Sequence, residues 1–268
     1  MEKVVLITGA AHGLGCALSH EFLDKGWYVI ATDLDDLPMA WMLGFKRAMV
    51  ARMDVTSDDS VNSLFRLLGD KKIMIDLVIN NAGIDGYFPL SETPVDQFKH
   101  VFEVNVFGGY RVNQTFLPII RQPGGRILHI SSESLNLTVP FMPYPLTKKL
   151  VEGYAKALRI ELRFSGIDVI IVRPGAIRTR LLETVSNLKP KPGNRKLEKA
   201  FAKFAATAAK EIGRTLSPEQ VASFIYKVSC ITNPAAVYRI NNMLQLWIAS
   251  LVPFRWLERV FYKKLSGK

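Results

Sequence analysis

Short apolar runs rich in Val and Ile recur along the chain and alternate with longer stretches of helical periodicity. Continuous apolar runs of this kind are typical of strands buried on both faces of a parallel sheet. The pattern predicts seven strands, at residues 3–8, 28–32, 48–53, 75–80, 126–130, 167–172 and 235–239. The segments between them predict helices near residues 14–25, 58–69, 95–120, 145–164, 198–212 and 217–230.

Strands that alternate with helices in this way predict an α/β fold of the doubly wound type. In such folds, ligands bind in the crevice at the carboxyl ends of the strands. The chain has no internal repeat and no linker, so we expect one domain over residues 1–268. The Pro- and Lys-rich segment 187–196 is the one stretch that predicts a mobile loop.

A glycine-rich turn follows the first predicted strand. Residues 8–15 read TGAAHGLG and lead directly into an amphipathic helix. Glycines at such a turn let backbone N–H groups approach a pyrophosphate at the helix N-terminus. A purely structural turn is the alternative.

An acidic residue, Asp33, ends the second predicted strand, 18 residues beyond Gly15. A carboxylate there can accept hydrogen bonds from both ribose hydroxyls of an adenosine and would repel a 2′-phosphate. Leu34 follows it, and no fixed cation is evident nearby, so NAD(H) is expected over NADP(H). The alternative is that Asp33 caps the following turn together with Asp35 and Asp36.

Tyr144 and Lys148 stand four residues apart at the start of a predicted helix and therefore share one helical face. An ammonium beside a phenol favours the phenolate, so we expect Lys148 to lower the pKa of Tyr144 toward neutrality. A serine hydroxyl from the end of a neighbouring strand would hold a carbonyl oxygen beside the phenol. These groups together can move a proton to or from a carbinol oxygen.

The chain resembles the short-chain dehydrogenase/reductase family, and most of all its members that act on hydroxysteroids and retinol. The matching motifs occur in the family's order, at TGAAHGLG (8–15), DV (54–55), NNAG (80–83), Asn105, SS (131–132), YPLTK (144–148) and RPGAIRT (173–179). The resemblance implies a Rossmann-type fold with a mostly parallel sheet in the order 3-2-1-4-5-6-7. It also implies a nicotinamide cofactor and reversible oxidation of an alcohol to a ketone or aldehyde.

The resemblance further assigns roles to individual residues. Tyr144 would be the general acid/base, Lys148 would also hold the nicotinamide ribose, and Asn105 would support a water-mediated proton relay. The residues implied to bind the cofactor are Gly9, Ala11, Gly13, Leu14, Gly15, Asp33, Asp54, Val55, Asn81, Ala82, Gly83, Tyr144, Lys148, Pro174, Gly175, Ile177 and Thr179. No metal is expected.

Two adjacent serines compete for the catalytic position. Ser131 has the family's usual spacing of 13 residues before Tyr144, whereas an ungapped alignment of the strand GRILHISS selects Ser132. A strand cannot slip by one residue without turning every side chain over, but the loop 133–143 can lose a residue. Ser132 is therefore the predicted catalytic serine, and Ser134 is a further candidate.

The segment 180–214 is expected to fold over the substrate as a lid. Its apolar residues, with two from the loop before Tyr144, would suit a steroid, retinoid or other lipid-like alcohol; they are Leu181, Leu182, Phe201, Phe204, Phe141 and Met142. The alternative is that these residues form ordinary core or dimer contacts.

The net charge of +11 is concentrated in two segments. Residues 178–214 carry ten Lys/Arg against three Asp/Glu, and residues 253–268 carry five against one. No basic recognition motif with interleaved aromatic residues is present, so nucleic acid is not an expected partner. Beyond Pro253, an apolar helical stripe is formed by Phe254, Leu257, Val260 and Phe261.

The tail at about residues 241–268 therefore has three alternative roles. It could lie on a membrane as an interfacial helix, dock on the protein body, or cover the substrate pocket. The two cysteines, Cys16 and Cys230, share no metal-binding spacing. No positively charged segment with an apolar run precedes the first strand, so a cleaved signal peptide is not expected. We therefore expect a reduced, cytoplasmic protein, with peripheral membrane association as the variant. The family resemblance also implies a homodimer or homotetramer.

The leading functional hypothesis is an NAD(H)-dependent oxidoreductase that acts on a hydrophobic alcohol or ketone. A second hypothesis is a 3-oxoacyl-thioester reductase that uses NADPH. A third, from another class, is a non-catalytic NAD-binding sensor or scaffold.

Overall fold

The computed structural model describes residues 2–179, 195–211 and 215–266. Its strands form one parallel sheet of seven, in the order β3-β2-β1-β4-β5-β6-β7. Both the predicted fold class and the predicted strand order are thereby confirmed. The strands are β1 (Val4–Thr8), β2 (Tyr28–Asp33), β3 (Ala48–Arg52), β4 (Leu77–Asn80), β5 (Arg126–Ile130), β6 (Asp168–Pro174) and β7 (Val237–Ile240).

The described α-helices lie close to the predicted ones, with two more at the C-terminus. They are α1 (Gly13–Asp24), α2 (Asp58–Asp70), α3 (Val95–Phe102), α4 (Gly109–Phe116), α5 (Tyr144–Leu162), α6 (Arg195–Glu211), α7 (Pro218–Ser229), α8 (Leu244–Leu251) and α9 (Phe254–Ser266). The long predicted helix at 95–120 is interrupted by a π-helical segment, Glu103–Gly108. A 3₁₀ helix at Leu37–Gly44 was not predicted.

The core lies on both faces of the sheet because successive side chains of a strand point to opposite faces. In β1, Val5 and Ile7 belong to the cluster that α1 and α7 cover. Leu6, between them, belongs to the cluster that α2, α4 and α5 cover. All three side chains are fully buried.

A buried ion pair attaches α5 to the sheet. Glu152 of α5 accepts hydrogen bonds from Nε and Nη2 of Arg173 on β6, at 2.9 and 2.7 Å. It also accepts one from Ser131 Oγ, just after β5, at 2.7 Å. Burial opposes ionisation of Glu152, but the hydrogen bonds from Arg173 and Ser131 outweigh it and lower the pKa of the carboxyl. The start of α5 is thus held against the carboxyl ends of β5 and β6.

Residues 180–194 and 212–214 lie outside the described part of the chain. Most of the predicted mobile loop, both ends of the predicted lid, and Leu181 and Leu182 fall there. Among the described helices, none combines the length and the apolar character that crossing a bilayer requires.

Replacement of Glu152 by Ala should lower the free energy of unfolding by about 3–5 kcal/mol, because it leaves the Arg173 guanidinium buried without its carboxylate. Urea unfolding at neutral pH measures this. Since the pKa of Glu152 is depressed in the folded state, its contribution is complete above the unfolded-state pKa of about 4.3. It is lost as the pH falls through the lower folded-state value.

Glu161→Ala, at an exposed position of the same helix, is the matched control and should stay within about 0.5 kcal/mol of the parent. Equal effects of the two substitutions would contradict the role of Glu152.

Candidate active site

The glycine-rich turn at the end of β1 leaves no room for a side chain at Gly9 or Gly15. Gly9 has a φ of +67°, and a Cβ built there would lie 2.8 Å from Ala82 Cα. A Cβ built on Gly15 would lie 1.9 Å from the carbonyl oxygen of Gly9. Gly13, with a φ of +53°, faces Thr179, whose Cγ2 is 3.1 Å from the position of a built Cβ. Glycine is therefore required at Gly9 and Gly15 by the backbone itself.

The end of β4 holds this turn in place. Asn81 Nδ2 donates to the carbonyl oxygens of Thr8 and Gly9, both at 2.9 Å. The backbone N–H groups of Asn81 and Ala82 donate to Thr8 Oγ1, at 3.1 and 3.0 Å. The amide of Asn81, predicted to bind cofactor, is thus already engaged in shaping the glycine turn.

The N-terminus of α1 points out of this turn and has the character of an anion site. His12 precedes the helix in an extended conformation and its side chain makes no capping hydrogen bond. The first turn of α1 contains no acidic residue. The backbone N–H groups of a helix's first turn have no partner within the helix, and they attract phosphate. Leu14, by contrast, is buried in the core, so only its backbone faces the turn.

Asp33 at the end of β2 lies beside the glycine turn, where its Oδ2 accepts the Ala11 N–H at 2.9 Å. A longer hydrogen bond, 3.4 Å, joins its Oδ1 to the Asp35 N–H. The register neighbour of Asp33 on β3 is Arg52, and Arg52 Nε donates to the Leu34 carbonyl at 3.1 Å. The sequence-based statement that no fixed cation stands near this position is therefore wrong. The signal was Arg52 at the end of the neighbouring predicted strand.

Asp54 and Val55, the pair that follows β3, offer few free hydrogen-bonding groups. Asp54 Oδ1 accepts both the N–H and the hydroxyl of Thr56, at 2.8 and 2.7 Å, which closes a turn on itself. Val55 is buried, and its Cγ2 fills the space beside Gly108. The pair contributes shape to the cleft more than free polar groups.

Tyr144 is the first residue of α5, and Pro145 occupies the first turn, where a missing N–H is tolerated. Lys148, one turn later, is buried. Its Nζ lies 5.3 Å from the centroid of the Tyr144 ring and donates to the Ile130 carbonyl at 2.8 Å. Gly83 stands against the same ammonium, with 3.8 Å between Nζ and a built Cβ. The predicted Tyr–Lys pair therefore faces one point of the cleft.

The geometry distinguishes the two serines. Ser131 is almost fully buried, and its hydroxyl donates to Glu152. Ser132 points to the other side, where its hydroxyl neighbours the Tyr144 phenol and lowers the pKa of that phenol. Its Oγ also accepts the Ser134 N–H at 3.2 Å. Strand alternation thus directs Ser132, not Ser131, at the phenol.

The expected lowering of the pKa of Tyr144 is wrong for the protein by itself. Burial, and then the negative charge of Asp85, raise the pKa of the phenol, and the Ser132 hydrogen bond only partly opposes them. Burial also lowers the pKa of Lys148 to about 8, although Asp85 acts in the opposite direction. The phenol is therefore held in its protonated form at neutral pH.

Asp85, two residues beyond the NNAG motif, belongs to the site and was not predicted. Burial raises its pKa to about 7, while a hydrogen bond from Tyr87 and the charge of Lys148 act to lower it. Tyr87 Oη lies 3.4 Å from Asp85 Oδ2. Its position in a loop at the carboxyl end of a strand was the available signal.

Asn105 lies in the π-helical segment and holds the start of this loop. Its Oδ1 accepts the Ile84 N–H at 2.7 Å, and its Nδ2 donates to the Ile84 carbonyl at 2.8 Å. Nδ2 also donates to Thr147 Oγ1 at 3.2 Å, which connects it to α5. It is buried, and its side chain is committed to positioning the cleft wall.

The segment after β6 forms the opposite wall. Gly175 N donates to the Ile240 carbonyl at 2.8 Å, and a Cβ on Gly175 would lie 2.0 Å from Asn241 O. Ile177 forms an isolated bridge with Leu216. Pro174 ends β6 and is buried. Thr179 reaches back to the glycine turn, so the predicted residues of this segment line one continuous edge.

An aromatic cluster lies beside the Tyr144 end of the cleft. Phe141, Phe201 and Phe204 pack with ring centroids 5.2, 5.6 and 6.2 Å apart. We call these three rings the aromatic cluster. Partly buried apolar groups packed against it include Tyr87, Met142, Leu197 and Leu265. Phe141 is three residues before Tyr144, so the cluster adjoins the phenol.

The model of the family "short chain dehydrogenase" matches residues 3–189 of the chain. The "uncharacterized oxidoreductase YusZ" of Bacillus subtilis is 31% identical, over 98% of this chain and 99% of that protein. The "NADPH-dependent 3-dehydrocapnine reductase" of Ornithobacterium rhinotracheale is 27% identical, with 98% of each chain covered. A short chain dehydrogenase/reductase from Burkholderia phymatum, solved in complex with NAD, superposes with a TM-score of 0.77 at 20% identity. That superposition covers 97% of this chain and 95% of the other.

Substitution of the two serines separates catalysis from folding. Ser132→Ala should lower kcat by at least about 100-fold, because its hydroxyl faces the phenol, and should cost about 1 kcal/mol of stability, because the Ser134 N–H loses its acceptor. Ser131→Ala should lower stability by about 1–3 kcal/mol with a smaller loss of kcat, because Glu152 loses a buried donor. The reverse pattern would assign the catalytic position to Ser131.

Replacement of Asp85 by Asn should shift the pH profile of alcohol oxidation. Asp85 raises the pKa of Tyr144, so removing its charge lowers that pKa, and the rise of kcat/KM with pH moves to lower pH. Asp59→Asn, an exposed carboxylate on α2, makes the same charge change and should leave the profile in place. An unchanged profile in the Asp85 variant, or a move to higher pH, contradicts this assignment.

Proposed function

The chain belongs to the short chain dehydrogenase family, and we propose that it is an NAD(H)-dependent oxidoreductase with a hydrophobic substrate. The reaction interconverts a ketone and a secondary alcohol, or an aldehyde and an alcohol. The observation that carries the proposal is the convergence of three groups at one point of the cleft. The Ser132 hydroxyl neighbours the Tyr144 phenol and lowers its pKa, and Lys148 Nζ lies 5.3 Å from the Tyr144 ring.

The residues of the N-terminal half fit a dinucleotide. The glycine turn and the open first turn of α1 suit its pyrophosphate, and the Asp33 carboxylate suits its adenosine ribose. Lys148, with Nζ near Gly83, suits the nicotinamide ribose. A nicotinamide bound in this cleft supplies or accepts the hydride.

Tyr144 transfers the proton to or from the substrate oxygen. Its raised pKa keeps the phenol protonated at neutral pH, which is the form that donates to the oxygen of a carbonyl as it is reduced. Ser132 stabilises the developing alkoxide by a second hydrogen bond. Burial and Asp85, which raise the pKa of the phenol, and Ser132, which lowers it, set how readily the phenol gives up and regains its proton.

The aromatic cluster supports a hydrophobic substrate. Its rings and the apolar groups packed around them adjoin Tyr144 through Phe141 and Tyr87. The three rings are themselves buried, so a steroid, a retinoid or a linear lipid-like ketone would contact the partly buried apolar groups around them, at roughly 25 cal/mol per Å² of apolar surface removed from water. The Ornithobacterium relative is named an NADPH-dependent reductase, which agrees with the reaction class and, in its cofactor, with the second candidate below.

The choice between NAD(H) and NADP(H) depends on two neighbours, Asp33 and Arg52. The carboxylate is fixed beside the glycine turn by the Ala11 N–H, where it repels a 2′-phosphate. The guanidinium of Arg52 is held by the Leu34 carbonyl, to which its Nε donates. We propose NAD(H) because Asp33 is the group adjoining the turn. Arg52 is the feature that favours the second candidate, NADPH-dependent reduction of a 3-oxoacyl thioester.

Exposed apolar side chains on the two long helices support a homo-oligomer. The π-helical segment and α4 expose Phe107 and Tyr110, and α5 with the turn that follows it exposes Leu150, Ile160 and Phe164. We propose that these faces pair between copies of the chain.

Tyr144→Phe should lower kcat by at least about 100-fold, because the variant has no proton to exchange with the substrate oxygen. NADH binding should survive, since the glycine turn, Asp33 and Lys148 remain to hold the dinucleotide. Steady-state turnover on a panel of lipid-like ketones, together with an NADH titration, measures both.

Tyr262→Phe removes an exposed hydroxyl on α9 and should turn over normally. Near-parent turnover by Tyr144→Phe, with the parent active, would overturn the assigned chemistry. A parent that binds NADH without turning over any alcohol or ketone would favour the sensor hypothesis.

A further inference from the structure

The two C-terminal helices leave a row of apolar side chains uncovered. On α8 they follow the spacing of a single helical face, at Leu244, Trp247, Ile248 and Leu251. Leu244 and Leu251 are 67% and 66% exposed, and Trp247 is 48% exposed. Phe254 and Trp256 extend the row, at 62% and 64%. Isolated apolar residues are normal on a protein surface, but a set this dense marks an interaction site.

Helix α9 divides into an inward and an outward face. Leu257, Phe261 and Leu265 recur every fourth residue and are only partly exposed, and Leu265 packs against the aromatic cluster. The outward face consists of exposed residues one helical turn apart, namely Trp256, Arg259, Val260 and Lys263. Val260 was predicted to share one apolar stripe with Leu257 and Phe261, but it is exposed on the outward face. We call the row on α8, Phe254 and this outward face the tail surface.

The tail surface is attached to the active-site end of the molecule. Glu133, the residue after Ser132, accepts the Met243 N–H at 2.7 Å, directly before α8 begins. Asn242 Nδ2 donates to the Arg173 carbonyl at 3.2 Å. α8 contacts the segment Glu133–Asn136, and α9 contacts α6, which carries two rings of the aromatic cluster. The tail surface therefore borders the wall of the proposed substrate pocket.

Charge identifies what the surface would meet. Residues 253–268 carry five Lys/Arg against one Glu, within a chain whose net charge is +11. Two copies joined through these surfaces would bring like charges together, which costs free energy, whereas anionic lipid headgroups complement them. Trp residues beside Arg and Lys, next to exposed Leu and Ile, are the composition of helices that lie in a bilayer interface.

We propose that the tail surface binds an anionic lipid bilayer, with α8 and the outward face of α9 lying in the headgroup region. This attachment holds the aromatic cluster, and with it Tyr144, next to the membrane. The second statement rests on the proposed function, because only a lipid-like substrate benefits from that position. The binding itself does not depend on catalysis.

Flotation of the full-length chain with vesicles tests the proposal, with no substrate or cofactor present. The protein should float with vesicles of equimolar phosphatidylglycerol and phosphatidylcholine, less with phosphatidylcholine alone, and less at high salt. The double variants Trp247→Ser/Trp256→Ser and Arg259→Glu/Lys263→Glu should each reduce partitioning by at least about tenfold.

Matched controls use the opposite side of the molecule. Leu43→Ser/Phe45→Ser removes two apolar side chains, 75% and 50% exposed, near the far edge of the sheet. Arg66→Glu/Lys71→Glu makes the same charge change on α2. Both should float like the parent.

Absence of flotation, or equal flotation of tail and control variants, overturns the proposal. The proposal is also overturned if the parent self-associates and floats with neither vesicle, while the variant Trp247→Ser/Trp256→Ser is monomeric. In that case the tail surface joins two copies of the chain. A protein that floats as expected but reduces no carbonyl would remove the proposed function and leave the membrane surface standing.

Discussion

The site depends on the buried hydrogen-bonded ion pair between Glu152 and Arg173, which docks helix α5 onto the sheet. Glu152 lies one turn beyond Lys148 and two turns beyond Tyr144, so its attachment fixes the rotation of the helix face that carries all three. Because the same carboxylate also accepts the Ser131 hydroxyl, it settles which serine is structural. Ser132, next along the chain, is then left facing the phenol. One polar contact thereby orients the groups that the proposed chemistry requires.

The electrostatic state of the cleft follows from burial more than from the Tyr–Lys pair. Desolvation raises the pKa of Tyr144 and Asp85 and lowers that of Lys148. Each group therefore moves toward its neutral form, and Asp85 and Lys148 partly restore one another's charge. A phenol that stays protonated beside a serine donor is suited to giving a proton to a carbonyl oxygen. The aromatic cluster adjoins that phenol, and the C-terminal helices border the cluster.

The sequence was sufficient for the architecture because the pattern of apolar runs constrains it strongly. Runs such as VVLIT and LVIN are typical of strands buried on both faces of a parallel sheet. The connections between parallel strands are almost always right-handed. The argument from strand register also predicted that Ser132, and not Ser131, faces the phenol, as the structure has it. What the sequence could not provide depends on neighbours distant in the chain. Arg52 meets Asp33 only through the β2–β3 register.

The ionisation of Tyr144 was predicted with the wrong sign for a similar reason. A four-residue spacing shows that an ammonium is near, but it does not show how much water the fold removes from the phenol or that Asp85 approaches from another loop. In the tail, periodicity found a stripe. Tertiary packing decided that Leu257 and Phe261 turn inward while Phe254 and Val260 remain exposed.

The central claim is that the cleft holds a nicotinamide dinucleotide, and an equilibrium titration with NADH and with NADPH, followed by nicotinamide fluorescence, tests it most directly. The account predicts saturable binding of NADH that is tighter than that of NADPH, because Asp33 adjoins the glycine turn. Tighter binding of NADPH would show that Arg52 dominates and would redirect the account to NADPH-dependent reduction. Binding of neither dinucleotide would contradict the claim that this cleft is a dinucleotide site.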